Sequence, residues 1–197
     1  IRADKNPNLR LAALKVIKQL GAKASAAAYD ISVAMSCSNV KVKIAAIETF
    51  ASMGAAIKNQ VYYLSRPLKD SDVNVRLATV KAYKRLGKFV GSYAYSLRQT
   101  LNDESEEVRK EALEALSQMG SQGATVLSQS LQSPNTELRE LILEGLKNSN
   151  FPADTVVPSL LGVLNSKDVH LRSTAVDLLI QYSSSSASAF PGLLKAL

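Results

Sequence analysis

Few side chains in this sequence are of the types that do chemistry. The chain has one histidine, His170, and one cysteine, Cys37, far apart in the sequence. A zinc or iron site needs several His, Cys or carboxylate ligands that converge on one point. No phosphate-binding glycine loop, nucleophile elbow or kinase signature occurs either. We therefore predict that the chain is not an enzyme and has no catalytic residue, no metal site and no cofactor.

The distribution of charge is the feature of the sequence that indicates a partner. Residues 1–102 contain 17 lysines and arginines against 5 aspartates and glutamates, a net charge of +12, whereas residues 103–197 contain 7 against 12, a net charge of −5. A strongly basic surface attracts acidic partners. One helix column that is expected to face outward consists of Lys15, Glu48, Lys81, Glu114, Glu144 and Asp177. The predicted partner-binding residues are the cations on or near this outward-facing column in the N-terminal half: Lys15, Lys18, Lys81, Lys84 and Arg85.

The acidic partner of this basic half could be a protein or a nucleic acid. Glu48 separates Lys15 from Lys81 in the outward-facing column, whereas a duplex-binding protein gains its affinity from many simultaneous phosphate contacts. The Tyr62-Tyr63 pair and the Tyr93-Ala94-Tyr95 segment could stack on single-stranded bases. Tyrosines at helical spacing more often pack against a neighbouring helix with the hydroxyl in water. We therefore predict an acidic protein surface as the partner and keep nucleic acid as the alternative.

A repeated unit must position these residues, because several columns of the sequence share one period. Gly21, Gly54, Gly87 and Gly120 follow one another at intervals of 33 residues. A basic column keeps the same interval and resumes after a three-residue deletion; its members are Arg10, Lys43, Arg76, Arg109, Arg139 and Arg172. A fixed period of about 20 to 50 residues is typical of arrays in which each unit packs only against its neighbours.

Each unit is predicted to contain two helices, which we name helix A and helix B in chain order. The segment of residues 70–87, DSDVNVRLATVKAYKRLG, shows the apolar stripe of a helix B, and Gly87 suits its C-terminal cap. A less regular amphipathic stretch precedes it, from Ala55 to Leu68, and predicts a helix A. Residues whose side chains cap helix N-termini form the column Asn6, Asn39, Asp72, Ser105, Asn135 and Asp168.

This arrangement resembles the HEAT-repeat family. The resemblance is carried by Asp70, Val75, Arg76, Ala78 and Leu86-Gly87, and one period later by Asp103, Val108, Arg109 and Ala112. It implies an all-α fold, a right-handed α-α superhelix (a HEAT-repeat solenoid, armadillo-like in its helical build) with about 12 helices in about six repeats of period 33. We expect one array over residues 1–197, with repeat boundaries near residues 21, 54, 87, 120, 150 and 183.

The resemblance also implies roles for individual residues. In the HEAT family the arginine column and the aspartate before helix B commonly pair between neighbouring repeats. The structural ladder implied here consists of Arg10, Arg76, Arg109, Arg139, Arg172, Asp70 and Asp103. Cys37, Ser133 and Ser166 interrupt the aspartate column. The family resemblance favours a non-catalytic protein-interaction scaffold; a nucleic-acid-binding HEAT array and a HEAT-like lyase or other enzyme subunit are the alternatives.

The two ends of the sequence and its composition bound its context. The sequence opens with a helix B and closes in SAFPGLLKAL, which reads as the helix A of a seventh unit. We therefore expect a fragment of a longer solenoid. No stretch approaches the roughly 18 consecutive apolar residues of a membrane span, and a single cysteine suits a reducing compartment. A cytoplasmic or nuclear location and no membrane partner are expected.

Overall fold

The computed structural model describes residues 6–149 and 151–183, and every regular element in these ranges is a helix. The predicted all-α fold is therefore confirmed. The predicted number of helices is wrong, because the described part of the chain contains nine α-helices rather than 12. Two of the expected helices A are wound as 3-10 helices instead, and the sixth, predicted within residues 188–197, lies outside the described residues.

The six helices B are regular α-helices. Side chains of the predicted capping column accept hydrogen bonds from backbone amides at five of the six starts, as in Asn39 and Asp72, whereas Ser105 makes no such bond. These bonds satisfy amides that have no partner within a helix. The helices B are α1 (Pro7–Leu20), α3 (Val40–Ser52), α4 (Val73–Leu86), α5 (Glu106–Ser117), α7 (Thr136–Lys147) and α9 (Val169–Ser183).

The helices A differ between the two halves of the chain. The first combines a 3-10 helix (Gly21–Ala27) with α2 (Ala28–Ala34). The next two are 3-10 helices (Gly54–Ser65 with Pro67–Lys69, then Gly87–Leu97 with Gln99–Asn102), and the last two are α6 (Ser121–Ser130) and α8 (Ala153–Val163). The 3-10 helices start without a side-chain cap, and Ile57 and Val90 interrupt them with non-helical dihedral angles. The hydrogen bonds between residues i and i+3 of a 3-10 helix then pair backbone amides that a capping side chain would otherwise accept from.

The helices form two layers with the core between them. Consecutive helices B contact each other from α1 through α3, α4, α5 and α7 to α9, and the helices A contact each other in the same order. The apolar stripes of both layers meet in one continuous core, whose fully buried side chains include Leu14, Phe50, Leu86 and Leu116. Each helix thus covers its neighbours' apolar faces, which is how a repeat array excludes water.

Glycine forms the corner between a helix B and the next helix A. Gly21, Gly54, Gly87 and Gly120 all have positive φ, between 52° and 66°. Their partner ψ angles, −132° at Gly87 and −145° at Gly120, lie in a region that residues with a Cβ rarely enter. The glycine column predicted from the sequence therefore marks the turns, although its ψ values differ from those of a left-handed helical cap.

Candidate functional site

Arg76, a member of the predicted ladder, makes five side-chain hydrogen bonds. Its guanidinium donates two hydrogen bonds to the Asp103 carboxylate, from Nε at 2.8 Å and from Nη2 at 3.0 Å. It also binds the Glu104 carboxylate and the carbonyl oxygens of Asp70 and Ser71. Arg76 and Asp103 are each 8% exposed in their side chains. This two-pronged, nearly buried pair joins α4 to the turn before α5.

Burial raises the pKa of the Asp103 carboxyl, but hydrogen bonds from Arg76 and from the Ser105 amide outweigh that effect, so the pKa lies below its ordinary value. The same competition, with Lys43 as the partner, lowers the pKa of Asp70. The Lys43 ammonium and the Asp70 carboxylate are 2.6 Å apart in a position one repeat earlier. Both carboxylates are therefore held in the charged form that an ion pair requires.

Three further arginines of the column bind backbone or hydroxyl groups of the described residues. Arg109 donates to the carbonyl oxygens of Asp103 and Glu104, and Arg172 donates to those of Ser166 and Lys167. Arg139 reaches the Ser166 hydroxyl at 3.4 Å, and its buried Nε has no partner among the described residues. Arg10 is half-buried in the first turn of α1. Carboxylate pairs thus join α3 to α4 and α4 to α5.

Three of the five predicted partner-binding cations form ion pairs within the molecule. The Lys18 ammonium lies 2.7 Å from the Glu48 carboxylate on the next helix B. Lys84 binds both Glu111, at 3.0 Å, and Glu114, and hydrogen bonds to these two carboxylates raise the pKa of its ammonium. Lys81 lies 3.7 Å from Glu107. Lys15 and Arg85 are exposed and have no ion-pair partner within the described ranges.

Many of the ion pairs among the described residues lie where the basic half of the chain meets the acidic half. Arg76, Lys81 and Lys84 on α4 all bind carboxylates of α5 or of the turn before it. The charge imbalance of the two halves is therefore partly neutralised at the α4–α5 contact. The outward-facing column itself is exposed at all six positions, as predicted: Lys15, Glu48, Lys81, Glu114, Glu144 and Asp177.

A groove of about 420 Å³ runs between α3 and α4 on the helix-B surface. Its floor is apolar and includes the partly buried Ile44 and Leu77. Its rim carries three cations, Lys18, Lys81 and Arg85, against one acidic residue, Glu48. We call this feature the basic groove. The sequence indicated its cations but not its floor, because Ile44 and Leu77 fall on the same apolar stripes as core residues.

A second groove, in the C-terminal half, has more acidic than basic residues in its lining. It lies between α5 and α7, has a volume of about 590 Å³ and is lined by Glu114 and Glu144 against one cation, Lys110. Gly145 lets the Leu113 side chain pack closely against α7 at this groove, because a Cβ at that position would lie 2.6 Å from a Leu113 methyl carbon. The helix-B surface therefore carries depressions that differ in charge between the two halves of the chain.

The residues with potential chemistry do not converge. Cys37 is a free thiol that is half-buried before α3, and His170 is exposed at the start of α9. Within the ranges that the structure describes, no cluster of three or more His, Cys, Asp and Glu residues could hold a metal ion. No helix among the described residues has both the length and the apolar character of a membrane span.

Comparison with known proteins gives a family match for one repeat and several matches in fold. Residues 95–123 match the family model of the HEAT repeat. No curated protein matches the chain in sequence. The archaeal HEAT-like repeats protein from Thermococcus onnurineus NA1 is 14% identical with a TM-score of 0.56, and the match covers 88% of this chain and 77% of that chain.

Two further solved structures extend the comparison. The MAST/Orbit N-terminal domain is 16% identical with a TM-score of 0.57, over 84% of this chain and 88% of that chain. The complex of CpcE and CpcF of phycocyanin lyase from Nostoc sp. PCC7120 contains a chain that is 18% identical with a TM-score of 0.50, over 89% of this chain and 76% of that chain. At these identities the likeness concerns the fold.

Proposed function

We propose that this HEAT-like repeat protein, whose residues 95–123 match a HEAT repeat, is a non-catalytic scaffold. Its basic groove binds an acidic segment of a partner protein. A HEAT-like repeat array is suited to protein binding, since its stacked helices present an extended surface. The observation that carries the proposal is the composition of the groove, with an apolar floor at Ile44 and Leu77 and a rim of Lys18, Lys81 and Arg85.

The groove favours a segment that combines acidic and apolar side chains. Apolar side chains of the partner would cover Ile44 and Leu77, and its carboxylates would meet the rim cations. Arg85 contributes most to the charge, because it is exposed and has no ion-pair partner within the described ranges, whereas Lys18 is already paired with Glu48. The groove between α5 and α7 carries two carboxylates against one cation, so charge favours the basic groove for the same segment.

The predicted sites therefore divide into two roles in this proposal. Lys81 and Arg85 bind the partner, and Lys18 contributes to the rim while holding α1 to α3 through Glu48. Lys84 stabilises the α4–α5 contact through Glu111 and Glu114. Lys15 does not line the groove and adds only to the long-range field. Arg76, Asp103, Asp70 and the remaining arginines of the column hold neighbouring repeats together.

The test is binding of a labelled synthetic peptide of alternating leucine and glutamate, followed by fluorescence anisotropy at about 0.15 M salt. The double variant Lys81→Glu with Arg85→Glu is expected to weaken binding by at least about tenfold, because two attractive charges become repulsive. The control variant Lys41→Glu with Lys167→Glu makes the same change in net charge at two exposed lysines outside the groove. Equal losses in the two variants would show that only net charge matters and would reject the groove.

A further inference from the structure

The outer face of the first three helices A carries an exposed tyrosine in every repeat. Tyr29, Tyr62 and Tyr95 are 33 residues apart in the sequence and are 55%, 51% and 50% exposed. The helices that carry them contact each other in order, and packed helices lie about 8–10 Å apart. The three rings therefore form a column that crosses the helix-A layer, on the opposite side of the core from the basic groove.

In the second and third helices A, which are 3-10 helices, the winding places Tyr62 and Tyr95 on an exposed ridge, whereas Tyr29 is exposed on the α-helix α2. A 3-10 helix has about three residues per turn, so side chains at i and i+3 lie in line on one ridge. Around Tyr62 the neighbours on this exposed ridge are Asn59 and Ser65, and before Tyr95 the neighbour is Ser92. These side chains are small, so they do not cover the aromatic faces.

Tyr63 holds two of the three rings in place. Its ring centroid lies 4.3 Å from that of Tyr62 and 6.2 Å from that of Tyr29. It also makes an edge-to-face contact with Phe50, at 6.3 Å, and Phe50 is fully buried in the core. The Tyr29 and Tyr62 rings are therefore supported from the core side. A ligand that stacks on a pre-positioned ring loses less entropy than one that must order it.

Cations lie on the same helices as the column, and none of them is neutralised by an ion pair among the described residues. The three helices A, residues 21–34, 54–69 and 87–102, contain six basic residues and one acidic residue, Asp30. All six cations are exposed, and none forms an ion pair within the described ranges. On the helix-B layer, by contrast, Lys18, Lys81 and Lys84 are paired with glutamates. The six are Lys23, Lys58, Arg66, Lys69, Lys88 and Arg98.

This surface ends where the third helix A meets the fourth. The Tyr95 hydroxyl and the Gln129 side-chain oxygen of α6 are 3.2 Å apart. The sequence of α6 contains no charged or aromatic residue, and that of α8 contains a single charged residue, Asp154. Tyrosines and cations that form no ion pair among the described residues are therefore combined on three adjacent helices A. We call this surface the tyrosine face.

We propose that the tyrosine face binds single-stranded nucleic acid, with bases stacked on Tyr29, Tyr62 and Tyr95 and phosphates bound by the flanking cations. Lys58 and Arg66 lie four residues before and after Tyr62, and Arg98 lies three residues after Tyr95. Exposed aromatic rings alternating with basic side chains match the two parts of each nucleotide, its planar base and its anionic phosphate. Duplexes keep their bases stacked on each other, so a stacking surface selects single strands.

This inference goes beyond the proposed function, because it concerns the other layer of the molecule and another class of ligand. Its test uses fluorescein-labelled (dT)20 and a duplex of the same length, with affinities measured by anisotropy at two salt concentrations. Each bound phosphate of a single strand adds about −0.7 to the slope of log K against log salt, so six cations give a slope of up to about −4. We expect (dT)20 to bind at least about tenfold more tightly than the duplex.

Variants of the tyrosines test the stacking contribution. Stacking of one base on an aromatic ring is worth about 1–3 kcal/mol, so Tyr62→Ala with Tyr95→Ala should weaken (dT)20 binding by at least about 30-fold. Tyr62→Phe with Tyr95→Phe keeps both rings and should stay within about threefold of the wild type. If the alanine variant binds (dT)20 as tightly as the wild type, or if the duplex binds equally well, the face is only electrostatic and the proposal is wrong.

Charge variants separate this proposal from the previous one. Lys58→Glu with Arg66→Glu should weaken (dT)20 binding far more than the matched control, Lys41→Glu with Lys167→Glu, which changes net charge equally outside both surfaces. The leucine–glutamate peptide is measured against the same variants. Binding of that peptide, but not of (dT)20, to the tyrosine face would assign the face to an acidic protein and overturn the proposal. The basic-groove proposal is tested separately, by peptide binding to the variant Lys81→Glu with Arg85→Glu.

Discussion

At the scale of single residues, the residue opposite each arginine of the column determines which hydrogen bonds that arginine makes. Arg76 faces an aspartate and binds it through two nitrogens, whereas Arg139 faces Ser166 and leaves its buried Nε without a partner among the described residues. A charged acceptor makes a stronger hydrogen bond than a hydroxyl does. The column therefore links repeats tightly only where a carboxylate is available.

Restoring the carboxylate should stabilise the C-terminal repeats. We predict that Ser166→Asp raises the free energy of unfolding by about 1.5 kcal/mol, because Arg139 gains charge-assisted hydrogen bonds within an already formed contact. Ser166→Asn is the matched control, since it has the same shape without the charge and should give a smaller gain. The measurement is urea denaturation, with a higher midpoint at an unchanged m-value. A midpoint at or below that of the wild type would show that the aspartate does not reach Arg139.

At the scale of the helices, two glycines near the corner between α5 and α6 are needed for different physical reasons. Gly120 has φ 66° and ψ −145°, but a Cβ at this position would meet nothing within 4 Å. Gly123 lies three residues later within α6, where a Cβ would be 1.9 Å from the Leu116 carbonyl oxygen of α5. Backbone strain limits the first position, and close approach of two helices limits the second.

Substitutions at these two glycines should therefore respond differently to side-chain size. We predict that Gly120→Ala and Gly120→Ser each cost about 1–3 kcal/mol, because both adopt the same unfavourable dihedral angles. At Gly123 even alanine must push α6 away from α5, so Gly123→Ser should cost clearly more than Gly123→Ala. Thermal or urea unfolding of the four variants measures these costs. Similar size dependence at both positions would contradict the assignment of strain to Gly120 and contact to Gly123.

At the scale of the whole molecule, the repeats are not equally anchored. In α1 only Leu14 is buried, and Leu9, Val16 and Leu20 are each more than half exposed. In α4, seven residues are buried and two neighbouring helices B contact it, α3 and α5. In a linear array each unit is stabilised only by its neighbours, so stability should vary along the chain.

We predict that the free energy of the opening through which α1 amides exchange with solvent hydrogen is roughly 1–3 kcal/mol lower than that of the opening of α4. The physical reason is that opening α1 exposes little buried apolar surface, whereas opening α4 breaks both layers and the Arg76–Asp103 pair. Native-state hydrogen exchange followed by mass spectrometry of peptides from each helix measures the difference. Equal protection of both helices would mean that the array opens as one cooperative unit.

Much of the fold could be read from the sequence because it is encoded locally. The caps at Asn39 and Asp72, the glycine corners and the apolar stripes each involve residues within one or two helical turns, and the period of 33 places them in register. These features sufficed to predict a two-layer helical repeat of the HEAT type. The 3-10 winding of two helices A was missed, because α- and 3-10 helices differ by a fraction of a residue per turn.

The sequence by itself also determined the unequal charge of the two halves, but only the tertiary structure decided which charges remain available. Lys18 and Lys84 bind glutamates 30 residues away, whereas Lys58 and Arg98 on the other layer bind none among the described residues. Such pairs depend on the lateral offset between neighbouring helices, which a linear pattern does not contain. Ion pairing across that offset neutralises several cations of the helix-B surface, whereas the helix-A cations form no ion pair in the part of the chain that the structure describes.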